Sequence, residues 1–161
     1  MAGGQPFQLS LTPQLSLVDR TNKVDGVSLN IWGENRQSGL ALGIVNGSTG
    51  FSSGLSVALI LNYADFYNGI QVAPVNLARA DFWGLQIGIV NCTDGRMKGL
   101  QFGMLNIAGH LAGFQIGLVN YAGGAKKALQ LGLVNVNPRN DWFTELPEEL
   151  APEMFFLNWR F

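Results

Sequence analysis

Residues 84–91 read Gly-Leu-Gln-Ile-Gly-Ile-Val-Asn, and this stretch decides how the chain folds. The pattern occurs seven times, and its start-to-start steps are 15, 15, 15, 15, 14 and 15 residues. A fixed period indicates one structural unit that the chain uses repeatedly. The seven copies are 39–46, 54–62 (with one extra residue), 69–76, 84–91, 99–106, 113–120 and 128–135.

Each copy alternates between large apolar residues and small or amide residues. Leu85, Ile87 and Ile89 alternate with Gln86 and Gly88. A period of two indicates a β-strand, whereas two glycines would cost a helix of this length about 2 kcal/mol. The repeats therefore predict an all-β protein.

The linkers between the copies contain the charged residues and the turn signals. No copy contains a charged residue, whereas the linkers hold dipeptides such as Asp94-Gly95 and Gly123-Gly124. Such dipeptides are typical of tight turns. If the turns lie there, each strand lengthens to roughly 11 residues, which is close to what a tilted transmembrane β-strand needs.

Length and pattern predict a single all-β domain over residues 1–161. Two further strands are expected near the N-terminus, at 7–11 and 27–32. The chain divides into N-terminal strands (1–38), seven repeats (39–135), and a C-terminal loop with a closing strand (136–161).

Composition excludes several classes of function. Only 13% of the residues are charged and the net charge is −1, so the chain lacks the basic footprint of a nucleic-acid-binding protein. No apolar run reaches the roughly 18 residues of a transmembrane helix. No signal peptide is recognisable, and the start at Met1 is compatible with either a processed or a cytosolic protein.

Two packings satisfy the repeat, and the first is an antiparallel meander. Folding at Asp94-Gly95 places Gln86 opposite Gly103 and Leu85 opposite Met104, so one face is wholly apolar. Closed with that face outward, about ten strands would form an outer-membrane-type β-barrel with the lipid bilayer as its partner.

The second packing is a parallel β-solenoid with one 15-residue coil per repeat. Equivalent residues would then stack, and the asparagine that ends each copy would form a ladder. Glycine stacked on glycine would pack nothing, which counts against this packing. Pro74 counts against both packings, because it removes a backbone donor from a strand.

The chain end favours the barrel. Phe155, Leu157, Trp159 and the final Phe161 alternate along the strand, which resembles the C-terminal signal strand of bacterial outer-membrane barrels. Inside such a barrel, the repeat glutamines would line an uncharged lumen that passes small neutral solutes. These expected lumen residues are Gln71, Gln86, Gln101, Gln115 and Gln130.

Three motifs together resemble a bacterial surface-repeat protein family without an established activity. They are residues 27–35 (Val-Ser-Leu-Asn-Ile-Trp-Gly-Glu-Asn), the repeat itself, and residues 158–161 (Asn-Trp-Arg-Phe). The similarity runs from Phe7 to Phe161, with departures at Ser56 and Pro74. The resemblance implies a location in the bacterial outer membrane or on the cell surface, and it supplies no catalytic residues.

No constellation of residues predicts an enzyme. His110 and Cys92 are the only residues of their types, which is too few for a zinc site. Cys92 is expected to point into the sheet, and His110 to lie in an exposed turn. The acidic residues Glu145, Glu148, Glu149 and Glu153 match no calcium loop. We therefore expect no catalytic residue, cofactor or metal.

The solenoid implies a different function from the barrel. It would be a soluble or surface-exposed structural or adhesive module, which uses stacked strands as a rigid spacer and its outer face for contacts. It could associate through its open ends, whose strand edges are unpaired. The repeat alone leaves the oligomeric state open.

Overall fold

The computed structural model describes residues 4–161, and these wind into a parallel β-solenoid of about nine turns. The start at Met1 lies outside the described residues. The strands are β1 (Gln5–Ser10), β2 (Lys23–Val72), β3 (Val75–Ala78), β4 (Phe82–Ile87), β5 (Val90–Phe102), β6 (Leu105–Ile116), β7 (Val119–Ala122), β8 (Ala125–Val136) and β9 (Glu153–Arg160). β2 is one uninterrupted segment of 50 residues that passes through several turns.

Neighbouring turns pair in the register of the repeat. Gly84 lies beside Gly99 and Gln86 beside Gln101, both in parallel strands. In the turn that begins at Gly84, residues 84–87 of β4 form what we term the first face and residues 90–93 the second face. A bend at 88–89 joins the faces, and residues 94–98 form the linker edge. The all-β prediction and the solenoid alternative are confirmed, and the antiparallel barrel is wrong.

A column of glycines determines the parallel stacking. The first glycine of each repeat from Gly39 to Gly113 has a φ angle between 115° and 145°, which L side chains rarely adopt. A Cβ on Gly99 would lie 2.0 Å from the carbonyl oxygen of Gly84 in the preceding turn. The turns can therefore approach this closely only where glycine stacks on glycine. This requirement outweighs the side-chain packing that glycine lacks, which counted against the solenoid.

Irregular residues lie at the bend, where they disturb no strand. Pro74 falls between β2 and β3, and its carbonyl oxygen accepts hydrogen bonds from the backbone nitrogens of Ile89 (2.9 Å) and Val90 (3.0 Å). The extra residue of the second repeat is accommodated at the same place, because Leu59 and Ile60 both point into solvent. Pro74 therefore does not count against the solenoid, because it removes no backbone donor from a strand.

The interior of each turn has an apolar part and a polar part. Near the linker edge, Tyr67, Phe82, Met97 and Leu111 stack above one another and pack against a column of alanines. The rest of the interior is filled by buried asparagine and glutamine side chains, because the large apolar residues of the repeats point outward.

Both ends of the solenoid are covered. At the N-terminal end, Gln8 Nε2 donates hydrogen bonds to the Val18 carbonyl oxygen (3.0 Å) and to Asn35 Oδ1 (2.9 Å). At the C-terminal end, β9 pairs antiparallel with β8, and Asn158 lies opposite Gln130. The loop before β9 bonds back to its outer edge, where the Phe161 nitrogen donates to the Glu148 carbonyl oxygen. Association through the ends of the solenoid stays a prediction.

Tyr67 provides a test of the apolar interior. Its hydroxyl is buried and has no hydrogen-bond partner among the described residues. Since an unpaired buried hydroxyl is unfavourable, Tyr67→Phe should raise the free energy of unfolding in urea by about 1 kcal/mol. The control Tyr63→Phe should lower it by about 1 kcal/mol, because the Tyr63 hydroxyl accepts from Trp32 and donates to Glu34.

The same residue predicts a pH dependence. Burial raises the pKa of Tyr67 well above its usual range. Its contribution to stability should therefore be constant below the usual tyrosine pKa of about 10. Above that pH the contribution should decline, because Tyr67 ionises there in the unfolded chain and not in the folded one. Tyr67→Phe should weaken this alkaline decline. A destabilised Tyr67→Phe variant would show that the hydroxyl has a partner in solution.

Candidate functional site

The five glutamines expected to line a lumen lie inside the solenoid and are at most 2% exposed. Gln101 Nε2 donates to Gln86 Oε1 (2.9 Å), and Gln115 Nε2 donates to Gln101 Oε1 (2.8 Å). Gln101 also donates to the carbonyl oxygen of Ile107, which ties the first face to the second (3.1 Å). Since the fold is a solenoid, there is no barrel lumen for these side chains to line.

The asparagines that end the repeats form a second column. Each Nδ2 donates to Oδ1 of the asparagine one turn later, over seven bonds of 2.8–3.3 Å from Asn30 to Asn135. Asn106 Nδ2 also donates to the Ile116 carbonyl oxygen at the next bend (3.0 Å). The ladder predicted for a solenoid is therefore present, and it also satisfies backbone groups at the bend.

The two columns run in opposite directions. Each asparagine donates toward the C-terminus, whereas each glutamine donates toward the N-terminus. This polarity explains two buried atoms without partners, Asn30 Oδ1 and Gln71 Nε2. Asn30 starts the asparagine column and has no donor before it, whereas Gln71 starts the glutamine column and Ser56 stands where its acceptor would be.

The outer faces carry rows of apolar side chains. Phe102 on the first face is 52% exposed, and Ile89 at the bend is 54% exposed. Equivalent residues in neighbouring turns repeat the arrangement, and no repeat contains a charge. Near the N-terminal end, the bend between the faces forms an apolar groove of about 580 Å³. Large exposed apolar patches usually mark an interaction surface.

The linker edge carries the charges that the faces lack. Arg96 binds Asp81 (2.7 Å), and Arg79 lies 3.8 Å from Asp65. Hydrogen bonds from Arg96 hold the pKa of Asp81 below its usual range, and Asp81 in turn raises the pKa of Arg96. In cross-section the solenoid is therefore amphipathic, with two apolar faces and one charged edge.

The residues considered for chemistry do not converge. Cys92 is half-buried on the outer side of the second face, where burial, followed by the charge of Asp94, raises its pKa. Its expected inward orientation is wrong, because Asn91 and Thr93 occupy the inward positions of this strand. His110 is exposed in β6 and accepts a hydrogen bond from Arg139 (3.2 Å).

Of the acidic residues near the C-terminus, one takes part in holding the C-terminal end of the solenoid together. Glu149 is buried, pairs with Arg160 at 2.9 Å and accepts a hydrogen bond from the Asp141 nitrogen. Glu145 and Glu148 are exposed. Within residues 4–161, no group of three or more His, Cys, Asp or Glu side chains is arranged to hold a metal ion.

Comparison with protein-family models, curated proteins and solved structures finds no match to this chain. The resemblance to a surface-repeat family therefore stays a prediction. Among residues 4–161, no helix has the length and apolar character to cross a membrane.

Proposed function

We propose that this protein is a structural and adhesive module of the bacterial cell surface, which attaches to a lipid surface through its two outer faces. The observation that carries the proposal is the amphipathic cross-section, in which charge is confined to the linker edge. Amphipathic helices with this division of apolar and charged sides lie in the membrane interface with their apolar side buried, and we expect the same of this solenoid. The proposal involves no catalytic step.

The amide columns support the role of a rigid support. Buried hydrogen-bonded networks of this kind stiffen a structure and specify one packing, since an unpaired amide is unfavourable. Each turn holds its neighbour through the asparagine and glutamine bonds as well as through the backbone. The apolar rows are therefore presented in fixed register along the whole rod.

The size of the apolar rows is sufficient for attachment. Burying the exposed half of a side chain such as Phe102 contributes about 1 kcal/mol. Five equivalent residues at the bend are also 36–54% exposed, namely Ile44, Ile89, Met104, Leu118 and Leu133. Burying this row gives several kcal/mol to set against the loss of translational and rotational freedom. A row on each side of the bend adds to this contribution.

The shape favours lipid over a rigid partner or a second copy. The two apolar faces lie on either side of the bend at 88–89, so a flat protein surface would cover one face and leave the other in water. A fluid acyl layer adapts to both faces at once. The location on the cell surface is supported by the resemblance of residues 27–35 and 158–161.

The test is flotation of the full chain with phosphatidylcholine vesicles. The wild-type protein should float with the vesicles, and Phe102→Glu should reduce the bound fraction about tenfold or more, because it places a charge in the apolar row. Asn68→Glu is the matched control, since it adds the same charge to an exposed position on the linker edge, and its binding should match the wild type.

Sedimentation of the same proteins without vesicles tests the alternative that a second copy of the chain covers the faces. If the wild-type chain stays out of the vesicles and sediments as a dimer that Phe102→Glu dissociates, then a second copy covers the faces and the lipid proposal is wrong. A wild-type protein that is monomeric and does not bind vesicles would also refute the lipid proposal.

A further inference from the structure

An open cleft of about 830 Å³ lies on the linker edge toward the C-terminal end, and we name it the basic cleft. Five cationic side chains and one imidazole line it, and no carboxylate does. These residues are Arg96, Lys98, His110, Lys126, Arg139 and Arg160. They come from successive turns of the solenoid and from the closing strand.

Three of these cations have no carboxylate partner within the described chain. Arg96 is paired with Asp81 and Arg160 with Glu149, whereas Lys98, Lys126 and Arg139 form no salt bridge. Lys98 Nζ lies 5.8 Å from the centre of the Trp83 ring, and Arg139 donates to His110. The cleft therefore has an excess of positive charge in a protein whose net charge is −1.

A strained bulge places Lys126 at this cleft. Leu111 pairs with Ala125 and Gly113 with Ala128, so Lys126 and Lys127 together stand opposite one residue of β6. Lys127 has a φ angle of 55°, a conformation that costs a side-chain-bearing residue about 1–2 kcal/mol. Bulges often re-aim a side chain at functional sites, and such strain persists where the surrounding structure enforces it.

The basic cleft continues into an aromatic one. A neighbouring cleft of about 460 Å³ shares Trp83 and Arg96 with it. There the rings of Phe51 and Phe66 stack with centroids 4.7 Å apart, close to the hydroxyl group of Ser53 and the amide of Asn68. Exposed rings beside hydroxyl and amide groups suit sugar rings, which present apolar faces and hydroxyl edges.

We propose that the linker edge binds an acidic polysaccharide. Its carboxylate or sulfate groups lie against Lys98, Lys126 and Arg139, and its sugar rings pack on Trp83 and the Phe51–Phe66 pair. Neighbouring turns are about 4.8 Å apart, so successive turns meet successive units of a linear polymer. A single-stranded nucleic acid is the competing polyanion, and the binding experiment separates the two.

The test measures binding of the full chain to polygalacturonate, dextran sulfate, neutral dextran and single-stranded DNA. The two acidic polysaccharides should bind and neutral dextran should not. Their affinity should fall at least tenfold between about 0.02 M and about 0.3 M salt, because the contacts are exposed and screened. The double variant Lys126→Gln with Arg139→Gln should weaken binding of polygalacturonate about tenfold or more.

Arg79→Gln is the matched control, since it removes one exposed positive charge from the linker edge outside the basic cleft, and it should change the affinity less than about twofold. Lys98→Gln is a second cleft variant at an exposed side chain, and its unfolding temperature should equal that of the wild type. Equal binding of dextran and polygalacturonate, or full affinity in the double variant, would overturn the proposal. Tighter binding of DNA than of either acidic polysaccharide would also overturn it and assign the cleft to nucleic acid.

Discussion

Gly99→Ala should destabilise the solenoid by more than about 4 kcal/mol. The added Cβ would lie 2.0 Å from the carbonyl oxygen of Gly84, and the φ angle of 133° is one that alanine avoids. Because the obstructing atom is backbone, the overlap is relieved only by separating two turns. Urea unfolding followed by circular dichroism measures the loss.

Gly50→Ala is the control for this substitution. Gly50 also has a positive φ angle, 56°, but nothing lies within 4 Å of the added Cβ. The variant should therefore lose only about 1 kcal/mol, from the left-handed conformation alone. If Gly99→Ala and Gly50→Ala have equal free energies of unfolding, the turns do not stack glycine on glycine.

Asn106→Ala should lower the free energy of unfolding by about 3–5 kcal/mol. Asn106 accepts from Asn91 (2.9 Å) and donates to Asn120 Oδ1 (2.8 Å) and to the Ile116 carbonyl oxygen (3.0 Å). Removing it breaks the column in its middle and leaves the Asn120 oxygen buried without its donor. Equilibrium urea unfolding is the measurement.

Asn68→Ala is the matched control, because Asn68 is an exposed asparagine outside the column. Its free energy of unfolding should stay within about 0.5 kcal/mol of the wild type. Asn106→Leu separates the effect of side-chain volume from that of hydrogen bonding. Although leucine fills the space of Asn106, this variant should still have a lower free energy of unfolding than the wild type. A leucine variant as stable as the wild type would show that the amide bonds contribute nothing.

The sequence contains enough information to predict strands, period and the side of each strand that is polar. It does not determine strand direction, because alternation is identical in a barrel and in a solenoid. Direction depends on the φ angles of the glycines and on the amide bonds between turns, neither of which is visible as a periodicity. The aromatic end was misleading, because Phe155 and Phe156 are both exposed and Phe156 has a φ angle of 67°. β9 covers the end of the rod.

The candidate surfaces were predictable to different degrees. The apolar outer faces follow from Leu85, Ile87 and Ile89, since both packings turn these residues away from the amides. The basic cleft does not follow, because Lys98 and Arg139 lie far apart in the chain and meet only when the turns are stacked. The pair Lys126-Lys127 is the one local indication of the cleft in the sequence. It indicates the cleft only once the bulge in β8 is known.

The head-to-tail direction of the amide columns governs how this chain can change length by recombination. Every asparagine inside its column is both donor and acceptor, so a duplicated 15-residue unit inserted between Asn30 and Asn135 creates no additional unpaired amide. The unpaired atoms stay at the starts of the columns. Descendants of this chain should therefore differ in whole units, while the covers at both ends are inherited unchanged.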